Sequence, residues 1–378
     1  MSKDARQPVR LPADANRSPG RKLRMDASVR RNVVATILSV LCSLLLAAAI
    51  LLCVGKSPLE AFSALFKGVF GSKLNFYQAL ATTTPLIFTG LAVAVAFRGG
   101  TFNIGAEGQL YVGGFASVIC GLTLPLPTGV LLVVSLLAGA VAGALWALIP
   151  AILKIKWNGP EVVNTVMLNT IGVLLVDFFL KTYFQAEGSA NETAAIQDAA
   201  VLPRVIPQSQ LSYGILIAIL MIALVYYLLK HTTLGYEIRT VGSNLDAARY
   251  AGISVNKISI VSMLLSGALA GLSGAVVCLG VYNRFIGGFS PGYGFDGIAV
   301  ALLANNNPIG IFFSALLFGM LRTGGLAMDR VANVPVDVVD VILGLVVFFI
   351  AAPAIFEELF NWIERKKRAH NANKKEGV

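Results

Sequence analysis

Charge is what this chain has least of. Only 13% of its 378 residues are Asp, Glu, Lys or Arg, where a soluble domain uses about a quarter to keep its surface wet. Histidine is nearly absent: His231 and His370 are the only two, too far apart and too isolated to build a metal site or a nucleophile–base pair. The four cysteines, Cys42, Cys53, Cys120 and Cys278, all lie inside apolar runs and form no C-x-x-C, so they read as inert buried thiols. Gly55-Lys56-Ser57 mimics the end of a phosphate-binding loop, but the glycine that such a loop needs five residues earlier is Ile50. The expectation is a chain with no cofactor, no metal and no nucleotide-hydrolysing site of its own.

What is present is hydrophobicity: 56% of the residues are hydrophobic and the mean hydropathy is +0.75. Apolar runs of about 20 residues are long enough to cross a bilayer. In lipid the backbone can be satisfied only by helices or closed barrels, and long continuous runs indicate helices. The net charge of +10 sits mainly at the ends, with nine of the 30 Lys and Arg in the first 31 residues and six after Asn361. Without aromatic interleaving or a binding module, this is a topology signal and an attraction to anionic lipid; no nucleic-acid partner is expected.

The expected organisation is a basic disordered cytoplasmic tail over 1–31, a transmembrane domain over 32–360 and a second basic cytoplasmic tail over 361–378. Helices are expected over about 32–54, 76–97 (bent at Pro85), from within the glycine-rich stretch 98–108 to 122, then 128–153, 162–184, 213–229 and 258–281. Three further segments complete the pattern: 295–304, 309–322 and 336–355. An amphipathic segment over 58–70 belongs at the outer interface. Two polar segments interrupt the runs, an external loop at 185–211 and an internal loop at 231–257. Ten crossings with both termini cytoplasmic put 22 Lys and Arg inside and 8 outside; the loops without the tails give seven against eight. The expected fold class is therefore all-α and polytopic, with about ten transmembrane helices, some of them broken.

Polar residues inside such runs are costly and mark cavities or partners. One cluster, Asn103, Glu107 and Gln109, lies at a glycine-interrupted helix start, where exposed backbone is tolerated only beside protein or a watery cavity. A second comprises Glu161, Thr165 and Asn169, which fall on one stripe of a helix, with Asn164 beside them. Phe295-Asp296-Gly297-Ile298 echoes Phe102-Asn103-Ile104-Gly105: an aromatic, a polar residue and a glycine opening an apolar run. Paired broken helices build the midplane pathway of many transporters. The pairs Gly139/Gly143 and Gly267/Gly271 are spaced for close helix packing. In the internal loop, Asn244 is a good N-cap and Gly252 a good C-cap for two helical turns, a docking element for a cytoplasmic partner.

Gly242-x-Asn244-x-x-Ala247-Ala248-Arg249-x-x-Gly252-Ile253 resembles the coupling region of permease subunits from ABC importers of the branched-chain amino acid, ribose and nucleoside group. The stretches 102–109, 161–169 and 287–305 resemble the nucleoside-type branch, and the resemblance extends from Phe76 to Ile355. It implies a type II importer permease in a bacterial inner (cytoplasmic) membrane. Its partners would be a second, related permease, a cytoplasmic ATPase docked on Gly242, Asn244, Ala247, Ala248, Arg249 and Gly252, and an external binding protein. The implied cargo is nucleosides, purine nucleosides in particular. A simple-sugar permease of the same group, or a self-sufficient secondary transporter or channel, remains open on the residues alone.

Overall fold

The computed structural model describes residues 41–351, so both tails and the outer ends of the first and last expected helices lie outside the described residues. The described chain is helical, and within 42–351 it forms one compact unit. In chain order the helices are α1 (Leu41–Cys53 in its described part), α2 (Pro58–Phe70), α3 (Lys73–Arg98), α4 (Ala106–Thr123), α5 (Val130–Trp157), α6 (Glu161–Phe179), α7 (Gly214–His231), α8 (Thr233–Ser243), α9 (Leu245–Tyr250), α10 (Val255–Val277), α11 (Tyr293–Leu303), α12 (Pro308–Ala332) and α13 (Val336–Ala351). Single π-turns, Leu180–Phe184 and Cys278–Tyr282, extend α6 and α10.

Six described helices are long and apolar enough to cross a membrane: α3, α5, α6 with its π-turn, α7, α10 with its π-turn, and α12. A seventh appears if α1 and α2, bent by 119° at Gly55, form one broken span. α4 is long enough, but Glu107 and Gln109 in its first turn dilute its hydropathy, and α11 spans only 11 residues. Burial sorts the six into layers. The apolar windows of α3 and α10 are 83% and 72% buried, whereas those of α5, α6 and α7 are 22% buried. α3 and α10 therefore form the interior of the bundle, and the other three present broad apolar faces such as Leu137, Val141 and Leu145 on α5, suited to lipid.

Lipid gives helices no hydrophobic reason to associate, so close backbone approach must do it. The two glycine pairs supply that approach. A Cβ on Gly143 would stand 2.3 Å from the Gly267 carbonyl oxygen, and one on Gly271 2.3 Å from that of Gly139. Gly274 lies so near α4 that a Cβ would be 2.0 Å from Leu110 O, while Ser273 Oγ donates to Pro85 O at 3.0 Å. Pro85, Leu110 and Ser273 thus share one level, near the middle of α3.

The polar segment after α6 folds back instead of standing as a plain loop. Thr193 N donates to Phe285 O and Ile196 N to Asn283 O, each at 3.0 Å, and Ile196, Ala200, Leu202 and Leu211 are buried. Helix α12 also departs from expectation, continuing ten residues past Arg322 to Ala332. The Arg322 guanidinium is paired with Asp296, so the charge is compensated within the bundle and does not end the helix.

Candidate functional site

Between α3 and α4 the backbone leaves the helix at Gly99 and re-enters it at Ala106. Asn103, fully buried, holds this break closed. Its Oδ1 accepts from Gly105 N at 2.9 Å and from Gln109 Nε2 at 3.0 Å, while its Nδ2 donates to Gln109 Oε1 at 2.9 Å and to Ser266 Oγ of α10 at 2.7 Å. Asn169 of α6 completes the cover: Nδ2 donates to Ile104 O and Oδ1 accepts from Gly108 N, both at 2.8 Å. Side-chain amides thus take over backbone groups that the interrupted helix leaves unpaired. Thr165, one turn before Asn169 and fully buried, donates to the carbonyls of Glu161 and Val162. Asn164 is half-buried beside Gly159, outside this network. Glu161 at the head of the stripe pairs with Lys154 at 2.9 Å.

The second break precedes α11. Glu107 is 6% exposed, and its Oε2 accepts from Gly294 N at 2.5 Å, placing a carboxylate at the positive end of α11. Less than one turn along, Asp296 forms its ion pair with Arg322, which also donates to Pro291 O. The guanidinium stands 5.7 Å from the centre of the Tyr293 ring. Asp296 and the half-exposed Phe295 border a cavity of about 370 Å3. Pro291, Arg322, Asp340 and Leu343 line both this space and another of about 570 Å3 at the end of the bundle that carries the 185–213 segment.

At the opposite end lie α8 and α9. Asn244 Oδ1 accepts from Asp246 N and Ala247 N at 3.0 Å each, which caps α9. The helix ends with Gly252 at φ +78°, in the region open to glycine at little cost. Ala248 is buried, while Leu245, Asp246, Ala247, Arg249 and Tyr250 face outward, Tyr250 94% exposed. The Arg249–Asp246 pair is 3.4 Å apart and solvated. Gly242 near the end of α8 touches the break itself: a Cβ there would meet Arg98 O at 2.0 Å and Gly100 N at 3.1 Å.

A family model described as branched-chain amino acid transport system / permease component matches residues 75–351. The chain belongs to this permease family. Among similar proteins is the guanosine ABC transporter permease protein NupP of Bacillus subtilis, 36% identical over 340 residues, which are 89% of this chain and 97% of that protein. The nucleoside ABC transporter permease protein NupB of Lactococcus lactis is 36% identical over 358 residues, 92% and 98% of the two chains. The glucose ABC transporter permease protein TsgB13 of Haloferax volcanii is 33% identical over 347 residues, 89% and 91% of the two. No solved structure matches the chain.

With six or more apolar helices, this permease-family chain is a multi-pass membrane protein. Of the polar residues singled out in its sequence, the fold joins Asn103, Gln109 and Asn169 around the break before α4, and links Glu107 to the break before α11. Thr165 stands behind them, and Phe295 and Asp296, in the first turn of α11, lie at a cavity. Sequence reasoning missed Ser266 and Arg322 as partners, and it missed α8. The signal for α8 was present in Leu234, Ile238 and Val241, apolar at helical spacing after the Thr232 cap.

Proposed function

We propose that this chain is the membrane-spanning permease of an ATP-driven importer of nucleosides, purine nucleosides in particular, delivered by an external binding protein. Cargo passes beside the paired starts of α4 and α11. The observation that carries this reading is the Glu107–Gly294 contact between two broken helices at mid-length of the bundle, in a chain 36% identical to two nucleoside permeases along nearly all their length. Glu107, Phe295 and Asp296 border the path, while Asn103, Gln109, Asn164, Thr165 and Asn169 form or brace its wall. Ten crossings with both termini cytoplasmic, in a bacterial inner membrane, complete the topology: α1, α4, α11 and α13 join the six long helices, and α2 lies at the outer interface.

ATP hydrolysis falls to a cytoplasmic ATPase docked on α9 and its flanks at Gly242, Asn244, Ala247, Ala248, Arg249 and Gly252, and a second related permease completes the pathway. A self-sufficient secondary transporter needs a carboxylate inside the membrane interior that is available to an ion. Glu161 is paired with Lys154, Asp177 with Lys181 at 2.8 Å, Asp296 with Arg322 and Glu107 with Gly294, which favours the ATP-driven reading. The relationship to a glucose permease supports a sugar as the second candidate cargo. Uptake of radiolabelled guanosine, uridine and glucose by cells expressing the complete transporter decides among them. Guanosine is expected to enter fastest, and glucose uptake without nucleoside uptake would reverse the assignment.

A further inference from the structure

The cavity of about 570 Å3 at the 185–213 end is within the roughly 300–1,000 Å3 range of small-molecule sites, and its walls differ in chemistry. Tyr282, Phe289 and Tyr293 line one side, with the Tyr282 and Phe289 ring centres 6.4 Å apart and the rings edge to face. Gln78 and Gln210 line another. Gln78 Nε2 donates to Gln210 Oε1 at 2.9 Å, which turns the Gln78 carbonyl oxygen and the Gln210 amide N–H groups toward other use, one acceptor beside a pair of donors. The charged lining is Arg322 and Arg330 with Asp329 and Asp340, and because Arg322 is already paired with Asp296 the balance is negative.

Such a lining selects. Aromatic side chains favour a flat ring, which they meet offset or edge-on, the amides require a ligand with both donors and acceptors, and a lining with more carboxylates than free cations gives no attraction to an anion. A nucleoside meets all three demands. A nucleotide adds a doubly negative group with no surplus cation to receive it, and glucose lacks the flat ring. Sharing Pro291 and Arg322 with the α11 cavity puts the site beside the break that precedes α11.

Building on the nucleoside-importer reading, we infer that this cavity is a nucleoside-recognition site belonging to the permease itself, with the base against Tyr282, Phe289 and Tyr293 and the polar edges on Gln78, Gln210 and Asp329. The permease then discriminates a second time, after the external binding protein has released its cargo.

The test is equilibrium binding of tritiated adenosine to the assembled permease–ATPase complex in lipid nanodiscs, without the external binding protein. Import of adenosine and of glucose by the complete transporter is measured in parallel. Saturable binding displaced by adenosine but not by glucose or AMP is expected. Gln78→Ala and Asp329→Asn, each checked for intact assembly by size-exclusion chromatography, should weaken it by about three- to tenfold, the worth of one hydrogen bond. Tyr282→Leu should weaken it further. If the complete transporter imports adenosine but the complex binds none, or all three variants bind as wild type does, the cavity inference falls and the importer reading stands. If glucose is imported and adenosine is not, both fall.

Discussion

Replacing Gly242 with alanine sets a Cβ 2.0 Å from Arg98 O, 2.7 Å from Arg98 C and 3.1 Å from Gly100 N. All three neighbours are backbone, so no side-chain rotation relieves the clash, and α8 must separate from the break before α4 by about 1.4 Å to bring the 2.0 Å approach to the 3.4 Å of ordinary contact. Overpacking of this kind costs typically about 1–3 kcal/mol. At about 1.4 kcal/mol per factor of ten, the balance between conformational states then shifts by roughly five- to 150-fold. Gly242 lies at the edge of the proposed docking surface and gives it no side chain, while the exposed side chains of α9, Leu245, Asp246, Ala247, Arg249 and Tyr250, lie beyond the clash, so the ATPase should still assemble. The expected phenotype is uncoupling: ATP hydrolysis persists in proteoliposomes while nucleosides imported per ATP hydrolysed fall by about tenfold. An unchanged ratio in a correctly assembled Gly242→Ala complex would refute the idea that motion passes from α8 to the break at this contact.

Asn244→Ala removes the α9 cap, which costs about 1 kcal/mol, and should weaken ATPase co-purification; Asn244→Asp should restore it. Arg249→Glu should weaken that association while leaving membrane insertion intact and thermal stability nearly so, because its solvated pair with Asp246 contributes no more than about 1 kcal/mol. Glu107→Leu leaves the Gly294 N–H without its acceptor, at about 1–3 kcal/mol, and should lower the unfolding temperature in detergent. Glu107→Gln keeps an acceptor in place and should lower it less.

The parts of this fold that were legible in the sequence are those governed by local rules. Apolar run length marks a bilayer crossing whatever its neighbours, and Asn244 and Gly252 bound α9 through bonds made within a few residues. The spacing of Gly139/Gly143 and Gly267/Gly271 announced two close-packing faces, although not that each faces the other. Long-range pairings were hidden. Nothing near Arg322 in sequence reveals that Asp296, 26 positions earlier, compensates its charge, so the apolar run seemed to stop where the helix in fact continues. Likewise Asn169 stood out as a polar residue on an apolar helix, but its bonds go to Ile104 O and Gly108 N, more than 60 positions away. Its neighbours in sequence carry no trace of that role.

On the proposed reading this chain supplies a path and other subunits supply the power. The most direct measurement is uptake of radiolabelled guanosine into proteoliposomes containing the chain alone, the chain with its second permease and ATPase, and that complex with the external binding protein and ATP. Accumulation only in the last, abolished by a non-hydrolysable ATP analogue and unaffected by an ionophore, is the predicted result. Accumulation by the chain alone, lost on adding the ionophore, would contradict the account.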